Sequence, residues 1–445
     1  MATVPSSDGV AQPRPRGAAV FLRAACLLSC TAFIVHAAIW APRLTNGFAM
    51  YYTYARLALE GNTLAGAYGE EYFNAKVREF GFDLRDEPNN IPTAALPYLP
   101  VAWLPPSAAK IAWTALSLLL FAWSLKILFA LSRLRAGDTL GLLLLTLLFL
   151  WHPAWEALAL GQVYVLLLVV FILFIRHLSG KKGALSGVFL ALAALFKGYG
   201  GVPAVLLGMR RKWNVIGVSA ALAAGMVLVT MPVLGVESWR AFYDNVLRSL
   251  GSRPEDAHVT YQTLNGFVRH LLTYDAVWLR HPLADAAPWV VTMISYGVNS
   301  ALILGTVIAF RNAGEREDLL AYGAAIAAGV MTAPLAEEYH YVLFLPLLFG
   351  LVAQCAGWRE RGGTPGLPEA LGVLAALAMA APSATHALQD SAFPLVLLAY
   401  GKLAAGLAML AAGVLALMRD RREVHPGIHP DRQKKSPLPK AQGAH

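Results

Sequence analysis

The chain has 445 residues, is 57% hydrophobic and only 14% charged, and carries a formal net charge of +9. A soluble fold of that length needs far more charge to cover its surface, so that class is excluded. The basic excess sits in short clusters between apolar runs rather than on one face, which is the positive-inside pattern of membrane helices and argues against nucleic acid as a partner.

Apolar runs long enough to cross about 30 Å of hydrocarbon recur from end to end. No regular apolar/polar alternation suggests barrel strands. The expected fold is an all-α polytopic membrane protein with about ten to twelve transmembrane or re-entrant helices. In chain order, residues 1–17 are polar, basic and Pro-rich, and read as a disordered cytoplasmic tail. Spans are expected at 21–40, 107–131, 139–151, 157–175, 215–234, 289–310, 319–332, 341–356, 367–381 and 393–418, giving a membrane domain over 18–418. Residues 419–445 read as a second disordered, basic cytoplasmic tail. The three cysteines, Cys26, Cys30 and Cys355, lie in or beside apolar runs and imply no disulfide framework.

Residues 184–209 differ from a simple span. Two apolar stretches of half the spanning length flank Phe196-Lys197-Gly198-Tyr199-Gly200-Gly201-Val202-Pro203, and both outer ends are basic. Basic ends on one side make this a helical hairpin whose Gly-rich apex lies inside the membrane, which is possible only beside a protein-lined cavity.

The Lys and Arg distribution puts both termini in the cytoplasm, since the short turns after Trp151, Thr332 and Ala381 carry no basic residue. The protein is then multi-pass in the plasma (inner) membrane, with two long non-cytoplasmic loops, 41–106 and 235–288. In the first, Phe48, Tyr51, Tyr52, Ala55 and Leu59 recur at helical spacing with Arg56 and Glu60 opposite, so an amphipathic interface helix is expected. Residues 89–106 are apolar, but five prolines forbid a continuous helix, so the segment re-enters or hugs the interface. In the second loop, 237–250 is expected to form another interface helix, with Trp239 and Phe242 inward.

Polar groups collect at the non-cytoplasmic ends of the spans: His152, Glu156, Gln162, Lys197, Glu337, Glu338 and His340. Intramembrane charges are costly and tend to be functional. A buried ammonium at Lys197 needs an anion, either a carboxylate or a ligand phosphate; Lys402 is the second intramembrane charge. Glu338 and His340 are suited to take a proton from a sugar hydroxyl and to support a leaving group. No HExxH pattern, Walker A loop, GxGxxG or GxSxG occurs, so neither a resident metal nor a nucleotide cofactor is expected.

Six short motifs carry a resemblance to the family 87 glycosyltransferases of the C-type superfamily. Gly47-Phe48-Ala49-Met50-Tyr51-Tyr52 with Ala55-Arg56 and Gly61 is similar to the family's opening motif, D-F-x-V-Y-Y, then A-R and G. Ile91-Pro92-Thr93-Ala94-Ala95-Leu96 with Pro100 resembles its proline-rich segment, and Gly161-Gln162-Val163 its G-Q-V/N. Ala194 to Lys197, then Pro203 and Arg210-Arg211-Lys212-Trp213, resembles its hairpin. Gln262-Thr263-Leu264-Asn265-Gly266 with Arg269 resembles a loop of the second excursion, and Pro334 to His340 its turn before a late span. The likeness runs from the first span to about Pro346.

The resemblance implies an inverting, metal-independent transfer of a mannose-like hexose from a polyprenyl-phosphate donor to an envelope lipid or glycan. It implies Lys197, Gln162 and Gln262 at the donor phosphate, Glu338 and His340 as catalytic groups, and Tyr51, Tyr52, Pro92, Asn265 and Arg269 at the acceptor or lipid. The sequence departs from the pattern at Gly47, where the motif carries the aspartate taken as base, and at Glu337 and Tyr339. Glu338, or one of Glu70, Glu71, Asp86 and Glu87, then takes over as base, or catalysis is lost. The rival class, a polyprenyl-lipid flippase or transporter, fits less well, because only one broken hairpin is seen and a long loop follows the first span. A non-catalytic scaffold for envelope assembly is the third reading.

Overall fold

The structure, a computed structural model, describes residues 16–180 and 182–424. Those residues are helical, with no strand and one isolated bridge between Asp275 and Leu279. Six helices are long and apolar enough to cross a membrane: Ala19–Trp40, Pro106–Ser132, Trp213–Leu234, Pro288–Phe310, Glu338–Glu360 and Gly401–Arg421. Thr139–Phe149 and His152–Leu160 add a seventh if this pair, bent by 43°, is one span. Shorter apolar helices, Tyr164–Ser179, Gly183–Lys197 and Leu367–Ala380, complete the bundle with Asp318–Met331. The protein is a polytopic membrane protein, as its composition predicts. The first expected tail lies almost wholly outside the described residues. Of the second, residues 419–424 continue the final helix, Gly401–Val424.

Three local expectations need correction. The span expected at 157–175 is two helices, because Gly161 adopts a left-handed conformation (φ 66°) and ends His152–Leu160 before Tyr164–Ser179 begins. The span expected at 393–418 starts only at Gly401, after two single-turn helices. The first-loop helix, Phe48–Leu59, does not lie on a surface: ten of its twelve residues are buried, and only the Arg56–Glu60 edge reaches solvent, paired at 2.8 Å. Phe48 and Tyr52, one turn apart, share a face and both meet Phe82, while Tyr54 points elsewhere and meets Tyr68 and Phe73. The expected interface helix of the second loop forms as Val236–Phe242 followed by a wider turn over Tyr243–Leu247, with Phe242 buried.

The hairpin is present. Gly183–Lys197 and Gly201–Met209 are joined through Gly198 (φ 73°) and Gly200 (φ 124°), conformations that glycine adopts without strain. The first arm has 15 residues, which at about 1.5 Å per residue gives roughly 22 Å, short of a crossing. Its apex therefore ends within the bundle.

The break at Gly161 frees backbone carbonyls among packed helices, where leaving them unpaired is expensive. Four distant side chains satisfy them. Lys110 Nζ donates to the Ala159 carbonyl at 2.7 Å, Thr45 Oγ1 to Leu160 at 3.0 Å, Tyr98 Oη to Gly161 at 2.9 Å, and Trp113 Nε1 to Gln162 at 3.4 Å. The break is thus a built feature that turns the Gln162 side chain into the interior.

Candidate active site at the hairpin apex

A cavity of about 380 Å³ lies where the hairpin apex, the Gly161 break, the proline-rich segment and the turn before Glu338–Glu360 converge. Asp86, Asn90, Gln162, Tyr164, Lys197, Glu337 and His340 supply its polar wall, and Leu160, Phe171, Val202 and Ile326 an apolar one. The polar residues come from segments far apart in sequence, and bends in the chain deliver each of them.

Lys197 is the last residue of its helix, so its side chain leaves the helix as the chain turns. Its Nζ donates to Asn90 Oδ1 and lies 5.5 Å from the Tyr51 ring centre and 5.8 Å from that of Tyr164. No carboxylate stands within 4.0 Å of it among the described residues. Two aromatic faces and one amide solvate an ammonium only in part. Around it, Tyr51 Oη, Tyr164 Oη and Gln162 Oε1 are buried without a hydrogen-bond partner. Buried polar atoms are rarely left so, and orphaned ones beside a cavity mark where a polar ligand would bind.

His340 is buried in a tight helical turn, Glu338–Phe344, and packs on the Tyr164 ring at 4.0 Å between centroids. Its Nδ1 accepts the Glu337 backbone N–H at 3.0 Å. The imidazole proton then sits on Nε2, which becomes a donor. Two carboxylates line the same cavity. Glu337 accepts the Tyr339 hydroxyl at 2.8 Å. Burial pushes its carboxyl up to about 7, opposed by that hydroxyl and by the Lys197 ammonium. Asp86 accepts three backbone N–H groups: Gly47 at 2.5 Å and Met50 at 3.2 Å on Oδ2, and Glu87 at 2.9 Å on Oδ1. Burial still outweighs them and pushes the Asp86 carboxyl up to about 6.

Of the residues singled out in the sequence, Lys197, Gln162 and His340 line the cavity, and Tyr51 lies under Lys197. Glu338 does not line it. Neighbours in a tight turn point apart, and Glu338 accepts from His152 Nδ1 at 3.0 Å on the far side. Its ligand atoms and those of His152 and Glu156 all lie within 4.8 Å of one another, the one group among the described residues able to hold a metal ion.

The remaining expected residues hold the fold around the cavity. Both Gln262 side-chain atoms are spent on backbone: Nε2 donates to Val259 (2.6 Å) and Ala399 (2.9 Å), and Oε1 accepts from Lys402 (3.2 Å) and Leu403 (3.4 Å). Tyr52 donates to the Leu104 carbonyl at 2.8 Å. Pro92 opens the short helix Pro92–Tyr98. Asn265 donates to the Gly251 carbonyl at 2.8 Å, and Arg269 donates to Asn265 at 3.2 Å.

Sequence reasoning passed over Asn90, Tyr164 and Lys110. Lys110 had a signal, since it sits one turn inside a long apolar run; Asn90 and Tyr164 had none beyond lying next to the motifs.

A bundle of membrane helices around a cavity with one ammonium and two carboxylates in its wall has the make-up of a membrane enzyme or carrier site. The family model of glycosyltransferase family 87 matches residues 91–337, more than half of the sequence, and the chain belongs to that family. It is a membrane glycosyltransferase. No curated protein and no solved structure matches the chain.

Proposed function

We propose that the protein transfers a mannose-like hexose from a polyprenyl-phosphate donor to a hydroxyl of an envelope lipid or glycan, on the non-cytoplasmic face of the inner membrane. One observation carries this reading: the Lys197 ammonium lies inside the bundle without a carboxylate within 4.0 Å among the described residues, beside two tyrosines whose hydroxyls are buried and unpaired. A lipid phosphate supplies the missing anion.

In this reading the donor phosphate sits against Lys197, with His340 Nε2–H and the Gln162 amide as hydrogen-bond donors. The apolar wall of Leu160, Phe171, Val202 and Ile326 takes the first carbons of the lipid. The acceptor enters from the side of the two long loops. A cavity carboxylate removes its proton, and the new bond forms on the face of the anomeric carbon opposite the departing phosphate, with inversion. The polyprenyl phosphate leaves with its charge neutralised by Lys197, so this step needs no resident metal.

The test uses purified protein in liposomes loaded with polyprenyl-phosphate mannose and a soluble alkyl mannoside. Stoichiometric release of polyprenyl phosphate with formation of a disaccharide product is expected. Movement of the intact donor between leaflets without cleavage overturns the enzymatic reading in favour of a flippase.

A further inference from the structure

Building on the transfer reaction above, we propose that Asp86 is the general base that removes the proton from the acceptor hydroxyl, delivered to the cavity wall by the loop before the proline-rich segment and held on the backbone of Gly47.

Position 47 itself cannot supply the group. Gly47 has φ +74°, and a Cβ built on it would stand 2.1 Å from Gln162 Nε2. Any larger residue there must distort the backbone and displace a cavity amide. Asp86 reaches the same residue on its backbone side, while Gln162 fills the space beside its Cα. Its Oδ2 holds the Gly47 and Met50 N–H groups at the start of helix Phe48–Leu59. Its own N–H donates to Asn74 Oδ1 at 3.0 Å. The carboxylate is therefore fixed at both ends. Two N–H groups fill Oδ2, while Oδ1 accepts one, from Glu87, and keeps a lone pair for a proton.

The other carboxylates are committed elsewhere. Glu338 is buried and bonded to His152 outside the cavity. Glu337 shares an oxygen with Tyr339 and feels the Lys197 charge more than any other charge. It is suited to balance that ammonium while the donor is absent. The charged and titratable groups facing Asp86 are Glu87, Glu337, Lys197 and the Tyr51 and Tyr54 hydroxyls. Against these, a carboxyl pushed up to about 6 is still an anion at neutral pH and basic enough to assist.

In the step itself, the acceptor O–H proton passes to Asp86 Oδ1 as the acceptor oxygen bonds to the anomeric carbon. The bond from that carbon to the phosphate oxygen breaks, and its electron pair leaves with polyprenyl phosphate. Asp86 then gives its proton to water.

The experiment compares hydroxyl transfer with transfer to azide, an anionic acceptor that needs no deprotonation, in liposomes carrying polyprenyl-phosphate mannose. For Asp86→Asn we expect kcat with the alkyl mannoside to fall about 100-fold or more, donor KM to stay within about threefold of the unaltered protein, and glycosyl azide to form at the unaltered rate. Glu338→Gln, outside the cavity, should keep the hydroxyl reaction within about tenfold, well short of the base loss. Because Asp86 also ties down a helix start, the unaltered protein supplies a second arm. Its hydroxyl transfer should fall as pH drops through about 6, while its azide transfer should not. Hydroxyl transfer by Asp86→Asn within fivefold of normal overturns the assignment. So does a pH limb shared equally by azide. A protein that makes neither product and releases no polyprenyl phosphate sinks the transferase reading itself, whatever Asp86 does.

Discussion

Three lysines, Lys110, Lys197 and Lys402, lie among apolar helices, and they differ in their partners. Lys402, 1% exposed, donates to the carbonyls of Ala378 and Met379 at 3.2 and 2.9 Å and to that of Ala381. These are the orphaned acceptors at the end of helix Leu367–Ala380, so the ammonium works as a C-terminal cap. Lys197 ends a helix too, but it has one amide and two aromatic faces and opens on a cavity. The same side chain is structural where the backbone offers carbonyls and available to a ligand where it does not. Lys110 follows Lys402, completing the break at Gly161.

That contrast can be broken by mutation. The largest effect is expected for Lys197→Ala, which should lower sugar transfer by about 100-fold or more, as for loss of a preorganised charge at a reacting centre, while the purified protein keeps its elution profile and melting temperature. If Lys197→Ala instead unfolds the protein, Lys197 and Lys402 are alike. Next, Lys402→Met should leave three carbonyls without their donor and cost about 1–3 kcal/mol of stability. Thermal unfolding in detergent measures this, with turnover per folded molecule within about threefold. Lys110→Met should behave as Lys402→Met does, but it should also loosen Gln162 and raise the donor KM; an unchanged KM would detach the Gly161 break from the site. The smallest change is expected for Arg269→Ala, whose contacts are to Asn265 and to the Ser252 carbonyl at 3.3 Å. It should cost at most about 1 kcal/mol and leave kcat within twofold. A large loss of acceptor binding would restore Arg269 to the site.

The hairpin was legible because its signals are local: two half-length apolar stretches, glycines at the bend and basic residues at both ends. Lys197, Gln162 and His340 were legible because a polar group inside an apolar run stands out. What the sequence hid is sidedness where the backbone is irregular. Glu337 and Glu338 are adjacent in a tight turn, and only the folded turn decides that the first faces the cavity and the second His152. Asp86 lies in a stretch without helix or strand, where no periodicity tells direction. Gln262 looked like a ligand-binding amide, yet its four backbone partners come mainly from residues about 140 positions away, which no local pattern reveals. The helix Phe48–Leu59 kept its predicted period but not its predicted surroundings, because burial on all sides depends on loops that fold over it.

The volume of the cavity limits what it can discriminate. About 380 Å³ is near the lower end of the roughly 300–1,000 Å³ typical of small-molecule sites. In the proposed reaction that volume takes a monosaccharide with its phosphate and a few carbons of the lipid. The rest of the proposed polyprenyl anchor then lies outside this cavity. Donors carrying the same sugar on shorter or longer anchors should therefore compete on equal terms.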